Sequence, residues 1–522
     1  MITPNSKIRL LKAPFEMDSN NELTFSSITS QTNYFLSLPY DEMDEATYQR
    51  KEERIRYDKG FDELIGFNYC MYQNTEYSNK WFYAFIERVE YVNDNTSYIY
   101  IKTDVFQSWM FDYTWKASFI EREHVEDDSF GLHTLDESIE TGDYIIQDVQ
   151  TGNDSYSEKI YIIASTLNLE STPNPQFDKG WGQEVSGLFT GNMYWWTDNQ
   201  TDLQNKLSDI DSAGQGDAVY YIFAAPKFVL SATDLAQGKN HNIVSSGDVK
   251  RTPFGRVNMP DHVGGSSVDT IYHPRNNKLF TSQFAFMQFD NSAGSVININ
   301  YEDVQGIVQD GLEPQIYSAI CPGLSIKMTF PYYKYVNSIS DTLTGAKMPI
   351  CSWSSDVYIN WLSQQSINIV SETALNLGEV AVGSATLNGL YIGAGIKGIF
   401  DTVRTMKTRE KTPPTLKGNS NSADVLFGDE QLNFKCYHYS VKKEYAIIID
   451  NFFDQFGYKV NELKIPNLFS RPNWNYIKTI NVNLIGEIPQ EDMAELRGLF
   501  NRGITLWHNP STFLDYSQNN KF

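Results

Sequence analysis

The chain has 522 residues, enough for several structural units that bury cores without covalent staples. Its 65 acidic side chains against 42 Lys and Arg give a formal net charge of -23. A field of that sign repels nucleic acid and anionic membrane at long range and argues against direct DNA readout. The 32 Tyr, 31 Phe and 10 Trp favour pleated surfaces and protein–protein interfaces. Cys70, Cys321, Cys351 and Cys436 are too scattered for a disulfide framework, form no CxxC pair and read as reduced buried thiols. The N-terminus lacks the pattern of a signal peptide, and no run of 18 strongly apolar residues offers an ordinary transmembrane helix.

Residues 1–145 read as a β-domain. Lys7–Phe15 and Ser30–Leu38 are candidate strands, the second ended by Pro39. Trp81–Val92 and Ser97–Phe111 alternate in part and flank the turn Asn93-Asp94-Asn95-Thr96, which predicts a hairpin. Leu135–Ile146 is an acidic link with a Gly-Asp turn. Residues 146–362 read as a β-rich middle domain. Ile160–Thr166 is a short buried strand, and Leu167 to about Asp202 is a polar surface excursion carrying Trp181, Trp195 and Trp196. Ala218–Leu230 is a strand unit broken by Pro226. From Ser231 to Asp310, Gly, Asn, Asp and Ser punctuate short strands, and Gly323–Val336 alternates at its start.

Residues 363–430 differ in kind. Thr373–Phe400 is small, weakly charged and glycine-rich, with Gly378, Gly383, Gly389, Gly393, Gly395 and Gly398, and a polar run follows it to Glu430. Small side chains bury little area and glycine is costly to order, so this is a conformationally special loop or a sliding helix, or more plainly a core helix packed through small residues. Residues 431–522 return to dense patterning. A strand opens at Asn433, Ala446–Gly457 reads as a short helix closed by Gly457, and Asn475–Gly486 as a strand. Ile488–Gly503 is the clearest helix, with Pro489 at its start, acids in the first turn, a stripe of Met493, Leu496 and Phe500, and Gly503 at its end. Ile504 opens a closing strand.

Catalytic signals are weak. No GxSxG, HExxH or P-loop occurs, and Gly264-Gly265-Ser266-Ser267 lacks the strand–helix frame of a phosphate cradle. His124, Asp127 and Asp128 hold donors for a divalent cation, although an acidic solvated face is the simpler explanation. His438 and His508 sit in aromatic strand contexts. Carboxylate neighbours such as Asp94 with Asp104 are expected by chance among 65 acids. The residues point to no enzyme, cofactor or metal. Trp181, Trp195 and Trp196 offer rings that can stack on cell-wall sugars, the alternative function class, or pack against a neighbouring subunit.

Two blocks carry a family resemblance. Tyr77–Val125 and Gly457–Thr479, the latter continued by Asp492–His508, resemble the tail knob proteins of short-tailed phages that infect Gram-positive bacteria. The resemblance implies a fold that is mainly β with a few short helices, in which terminal β-barrel modules form a ring-shaped tube and the middle of the chain a β-rich knob. It implies a homo-hexameric conduit for genome ejection at the distal end of the virion tail. The implied partners are the collar or upper tail tube, a distal wall-degrading protein, passing double-stranded DNA and the host membrane. In the family an apolar insert plugs the lumen. By position its members here are Val380, Val382, Gly383, Leu387, Gly389, Leu390, Ile392, Gly393, Gly395, Ile396, Gly398, Ile399 and Phe400. Glu379 and Lys397 depart from the family pattern and weigh for a plug over a membrane pore.

Overall fold

Strand-favouring sequence in the first hundred residues folds, in a computed structural model of the chain, into a seven-stranded antiparallel sheet. The structure describes residues 6–354, apart from 47, 50–53, 75–78, 153–157, 171–175, 178–183, 186–187, 190–192, 214, 216–217, 247, 291–295, 305, 321–324, 332 and 334–349, and residues 434–521. They form two units: one of residues 1–141, 274–279 and 444–522, the other of residues 142–273 and 280–443. Cys70 and Cys436 are free and buried, and Cys321 lies outside the described residues.

In the first unit, β1 (Ser6–Leu11) is followed by β2 (Asn21–Leu23) and helix α1 (Ile28–Ser37). Next come β3 (Tyr40–Ala46), β4 (Tyr48–Gln49), β5 (Arg54–Tyr57), helix α2 (Phe61–Leu64), β6 (Tyr69–Asn74), β7 (Trp81–Asn93) and β8 (Thr96–Thr103). The sheet order is β3-β1-β6-β7-β8-β5-β4. Period-two alternation buries both faces. Cys70, Tyr72, Ala84 and Ile86 share one core with Ile8, Leu10, Ile55 and Ile99, whereas Tyr69, Met71, Tyr83 and Phe85 share another with Phe15, Phe35, Trp474 and Trp507. The predicted β7–β8 hairpin forms around Asp94-Asn95, where the Asn93 side chain accepts from the Asn95 backbone at 3.0 Å.

The sheet curls without closing, which corrects the expected barrel. Its edges β3 and β4 are one residue apart in sequence but pair only with β1 and β5, and β4 contributes just two residues. The strand expected at Ser30–Leu38 is instead α1. Ser27 and Ser30 form a reciprocal capping box, and Gln31 and Phe35, four residues apart, turn inward.

After α3 (Val105–Trp109), β9 (Tyr113–Trp115) and β10 (Ser118–Glu123), the unit is completed by the C-terminal segment. A five-stranded sheet runs in the order β2, Ile504–Trp507, Trp474–Ile480, β10, Tyr458–Lys464. Helix Gln490–Arg502 lays Met493, Leu496, Leu499 and Phe500 into a core with Phe106, Ile120, Ile477 and Leu506. The expected stripe is present, widened by Leu499. Helix Lys443–Phe456 ends at Gly457, whose φ is 64°, as the sequence signals.

A polar knot lies beneath these cores. Asp104 caps α3 by accepting from the Gln107 backbone at 2.9 Å and takes a second hydrogen bond from the Tyr69 hydroxyl at 2.7 Å. The Gln107 amide donates to Glu22 at 2.9 Å, leaving the second Glu22 carboxylate oxygen without a partner among the described residues. Burial pushes Asp104 up to about 6. Burial, with Asp104 nearby, holds Glu22 well above the carboxylate range. Asp94 instead accepts from Tyr91 in the hairpin turn, and the carboxyl group that shares the buried site with Asp104 is that of Glu22.

The second unit carries three four-stranded sheets. One orders Val219–Pro226, Lys159–Ser165, Met193–Thr197 and His241–Asn242. Helix Gln200–Ser212 covers it through Leu203, Leu207 and Ile210. Another orders Tyr144–Thr151, Lys435–Val441, Ala285–Asp290 and Val296–Ile299. The third orders Lys250–Pro253, Gln315–Ala319, Ser325–Thr329 and Ile350–Ser354.

Candidate functional site

The insert residues from Val380 to Phe400, and Trp181, lie outside the described residues. Trp195 and Trp196 lie in a buried strand, which corrects the expected surface excursion. They sit in strand Met193–Thr197, opposite Ile163 and Ile162, and are 1% and 2% exposed. Trp195 packs among Leu167, Leu203 and Leu207, with the Lys206 ammonium 5.5 Å from its ring centroid. Core burial accounts for both indoles, and neither presents an open face to a sugar in this unit.

The three histidines singled out by the sequence are all buried or partly buried and engaged. His124 accepts from the Tyr476 backbone N–H at Nδ1 (2.8 Å) and donates from Nε2 to the Asp454 carbonyl (2.9 Å). Both ring nitrogens are therefore used, and burial pushes the imidazole down to about 3. Asp127 binds the Ser129 backbone and hydroxyl, and Asp128 accepts from Tyr458 and Asn277. No group of three His, Cys, Asp or Glu among the described residues is arranged to hold a metal ion. His438 meets the Tyr301 hydroxyl at 2.6 Å, and His508 contacts Thr24 and Asn475.

The fold does bring together the two sequence blocks that stood out. β10, from the first block, lies between Tyr458–Lys464 and Trp474–Ile480, from the second. Register aligns Phe119 with Leu463 on one side and with Ile480 on the other. These three apolar side chains form one rung across three strands and are 37%, 70% and 46% exposed. Strand Tyr458–Lys464 is the sheet edge and pairs only with β10 among the described residues, and farther along it the Lys459 N–H is taken by Glu137 at 3.0 Å. A soluble monomer rarely leaves such a stripe uncovered, and the arrangement suits docking against another protein surface. The rung arises from register across partners more than 330 residues apart.

Behind the edge, Glu137 is fully buried between Arg122 and Lys278 and ion-pairs with both. Lys278 belongs to Pro274–Leu279, a strap that enters the first unit from the middle of the chain. Arg275 and Asn276 fix the strap to Asp450 and Asp454 of helix Lys443–Phe456. Such pairs contribute geometry more than net stability, because desolvation offsets much of the attraction.

Comparison with known proteins supplies a family. Residues 254–521 match the family model described as Bacillus phage phi29, tail knob protein gp9, C-terminal domain. Residues 4–114 match that of the caudoviral major tail protein N-terminus. The chain is 25% identical to tail knob protein gp9 of Bacillus phage B103, over 97% of both chains, and 25% identical to that of Bacillus phage phi29, over 96% of both. Its fold resembles the solved bacteriophage C1 tail knob protein gp12, with a TM-score of 0.58 over 98% of both chains at 15% identity.

Proposed function

The chain belongs to the family of phage tail knob protein gp9, and from that premise we propose that its copies build a sixfold conduit through which the genome leaves the virion. Membership makes it a structural virion protein of the distal tail. The observation that carries the assembly reading is the exposed Leu463–Phe119–Ile480 rung beside an open sheet edge, on a sheet built from both ends of the chain. Cyclic symmetry repeats one heterologous interface at every junction, so this stripe supplies one half of each junction and a different surface of the next copy supplies the other.

The acidic composition suits a lumen past which DNA slides without sticking, since like charge keeps phosphates from condensing on the wall. The insert at 363–430, with apolar members from Val380 to Phe400, closes that lumen before infection. On release it meets the host membrane, because apolar surface freed from protein packing favours burial in lipid. The collar or upper tube lies above the ring and a wall-degrading protein below it.

Single-particle imaging of the purified protein, intact and lacking Thr373–Glu430, tests this reading. A sixfold ring whose central density disappears on deletion is the expected result. A monomer, or a ring with an unchanged lumen, refutes it.

A further inference from the structure

A cavity of about 420 Å³ in the first unit is lined by four carboxylates that already have hydrogen-bond partners and by an arginine that has none. Asp128 accepts from the Tyr458 hydroxyl at 2.7 Å and the Asn277 backbone at 2.9 Å. Asp454 accepts from Asn276 at 2.8 Å and pairs with Arg275 at 2.5 Å. Glu126 takes a hydrogen bond from Asn467 and Asp127 from Ser129. Arg471 is only 9% exposed, and its backbone N–H donates to Asn475. Among the described residues its guanidinium makes no hydrogen bond, close ion pair or ring contact, although its charge acts on Asp128 and Asp454 across the cavity. Lys521, at the rim, likewise engages only its backbone N–H, with Asn519.

Five N–H donors held in a rigid fork and largely withdrawn from solvent form the unspent chemistry of this cavity. That fork matches a planar, two-oxygen anion. The four carboxylates on the same wall select among anions, because a second negative charge in their field raises the cost of entry. We propose that the cavity is a carboxylate-binding site, gripped by Arg471 and attended by Lys521, that discriminates against dianions such as phosphate. If copies of this chain assemble as proposed above, an acidic side chain of a neighbouring copy supplies the carboxylate. A small free carboxylate is the other source of the same chemistry.

The test uses the full chain. Its melting midpoint is followed against sodium acetate and against inorganic phosphate at constant ionic strength, for the wild type, Arg471→Gln and Arg471→Lys. The expected result is a saturable rise with acetate in the wild type, absent in Arg471→Gln and weakened several-fold in Arg471→Lys, with phosphate less effective throughout. Because the guanidinium carries no internal bond, Arg471→Gln removes none from the fold. Arg471→Lys keeps the charge without the fork. Equal acetate responses in all three proteins, or phosphate as effective as acetate, overturn the site.

Sedimentation separates the sources. A rise of tenfold or more in the concentration needed for assembly of Arg471→Gln assigns the carboxylate to a neighbour. Unchanged assembly with a lost acetate response assigns it to a free ligand. A wild-type chain that responds to acetate yet stays monomeric refutes the ring and leaves the site standing.

Discussion

Replacing Gly457 by alanine tests whether the junction between helix Lys443–Phe456 and β10 is as close as the backbone demands. Gly457 has φ 64°, where an L-residue costs about 1–2 kcal/mol. A Cβ there would lie 2.1 Å from the Glu123 carbonyl oxygen, and ordinary contact begins at 3.4 Å, a shortfall of about 1.3 Å. The obstacle is strand backbone, which cannot rotate away. Separating the two segments by that distance breaks the hydrogen bond from Arg122 to the Gly457 carbonyl (2.7 Å) and that from His124 to the Asp454 carbonyl (2.9 Å). The first is charge-assisted and contributes about 1.5–3 kcal/mol, the second about 1. Lower entropy of the unfolded alanine chain returns about 0.4–1 kcal/mol. The sum is a loss of roughly 3–5 kcal/mol.

Amide hydrogen exchange along β10 and Tyr458–Lys464 reads it locally, as a drop in protection of about a hundredfold or more. Gly498→Ala is the matched control in the same unit. It lies in a helix interior with nothing within 4 Å of the added Cβ and gains about 0.8–1 kcal/mol of helix propensity. If Gly457→Ala retains protection within about threefold of wild type, the close approach does not govern this junction.

Three further expectations follow from the same structure. Asp104 is raised to about 6 from an unfolded value near 3.8, so the folded state binds the proton more tightly and protection of α3 falls as pH rises from about 4 to about 6. Asp104→Asn, which keeps the cap, flattens that profile in pH-dependent hydrogen exchange; an unaltered slope refutes the assignment. Trp195→Ala opens a cavity in the second unit and costs about 3–5 kcal/mol, seen as an earlier urea midpoint, whereas a surface sugar platform would leave the midpoint in place. Leu463→Asp sets a charge on the exposed rung and weakens assembly by sedimentation while leaving the melting midpoint within a degree or two; normal assembly removes the rung from the interface.

Local signals were legible where chemistry and geometry are local. The β7–β8 hairpin shows in alternation broken by an Asn/Asp turn. Helix Gln490–Arg502 shows in Pro489, its acidic first turn and Gly503. α1 was hidden because Thr, Tyr and Phe favour strands, and because its capping box closes with Ser30 where Glu or Gln usually stands. The tryptophan pair reads as loop because its flanks are polar, while burial on both faces of a sheet leaves no alternation to detect. Glu22, Gln107, Glu137 and Arg471 gave no sequence signal. Their environments are assembled from partners tens to hundreds of residues away, and composition cannot place a carboxylate beside the side chain that satisfies it.

The discontinuity of the first unit has a consequence for biosynthesis. β10 emerges from the ribosome some 350 residues before Trp474, and at about 5–20 residues per second it waits roughly 20–70 s for its neighbour. Through that interval the face bearing Phe35, Tyr69, Tyr83 and Phe85 has neither Trp474 nor Trp507 to cover it, whereas nearly all of the second unit has already been translated. Nascent chains are thus most adhesive midway through translation. Slow codons or an early stop between 280 and 443 would raise aggregation more than the same change after 507, and host chaperones would act on this protein chiefly while it is still attached to the ribosome.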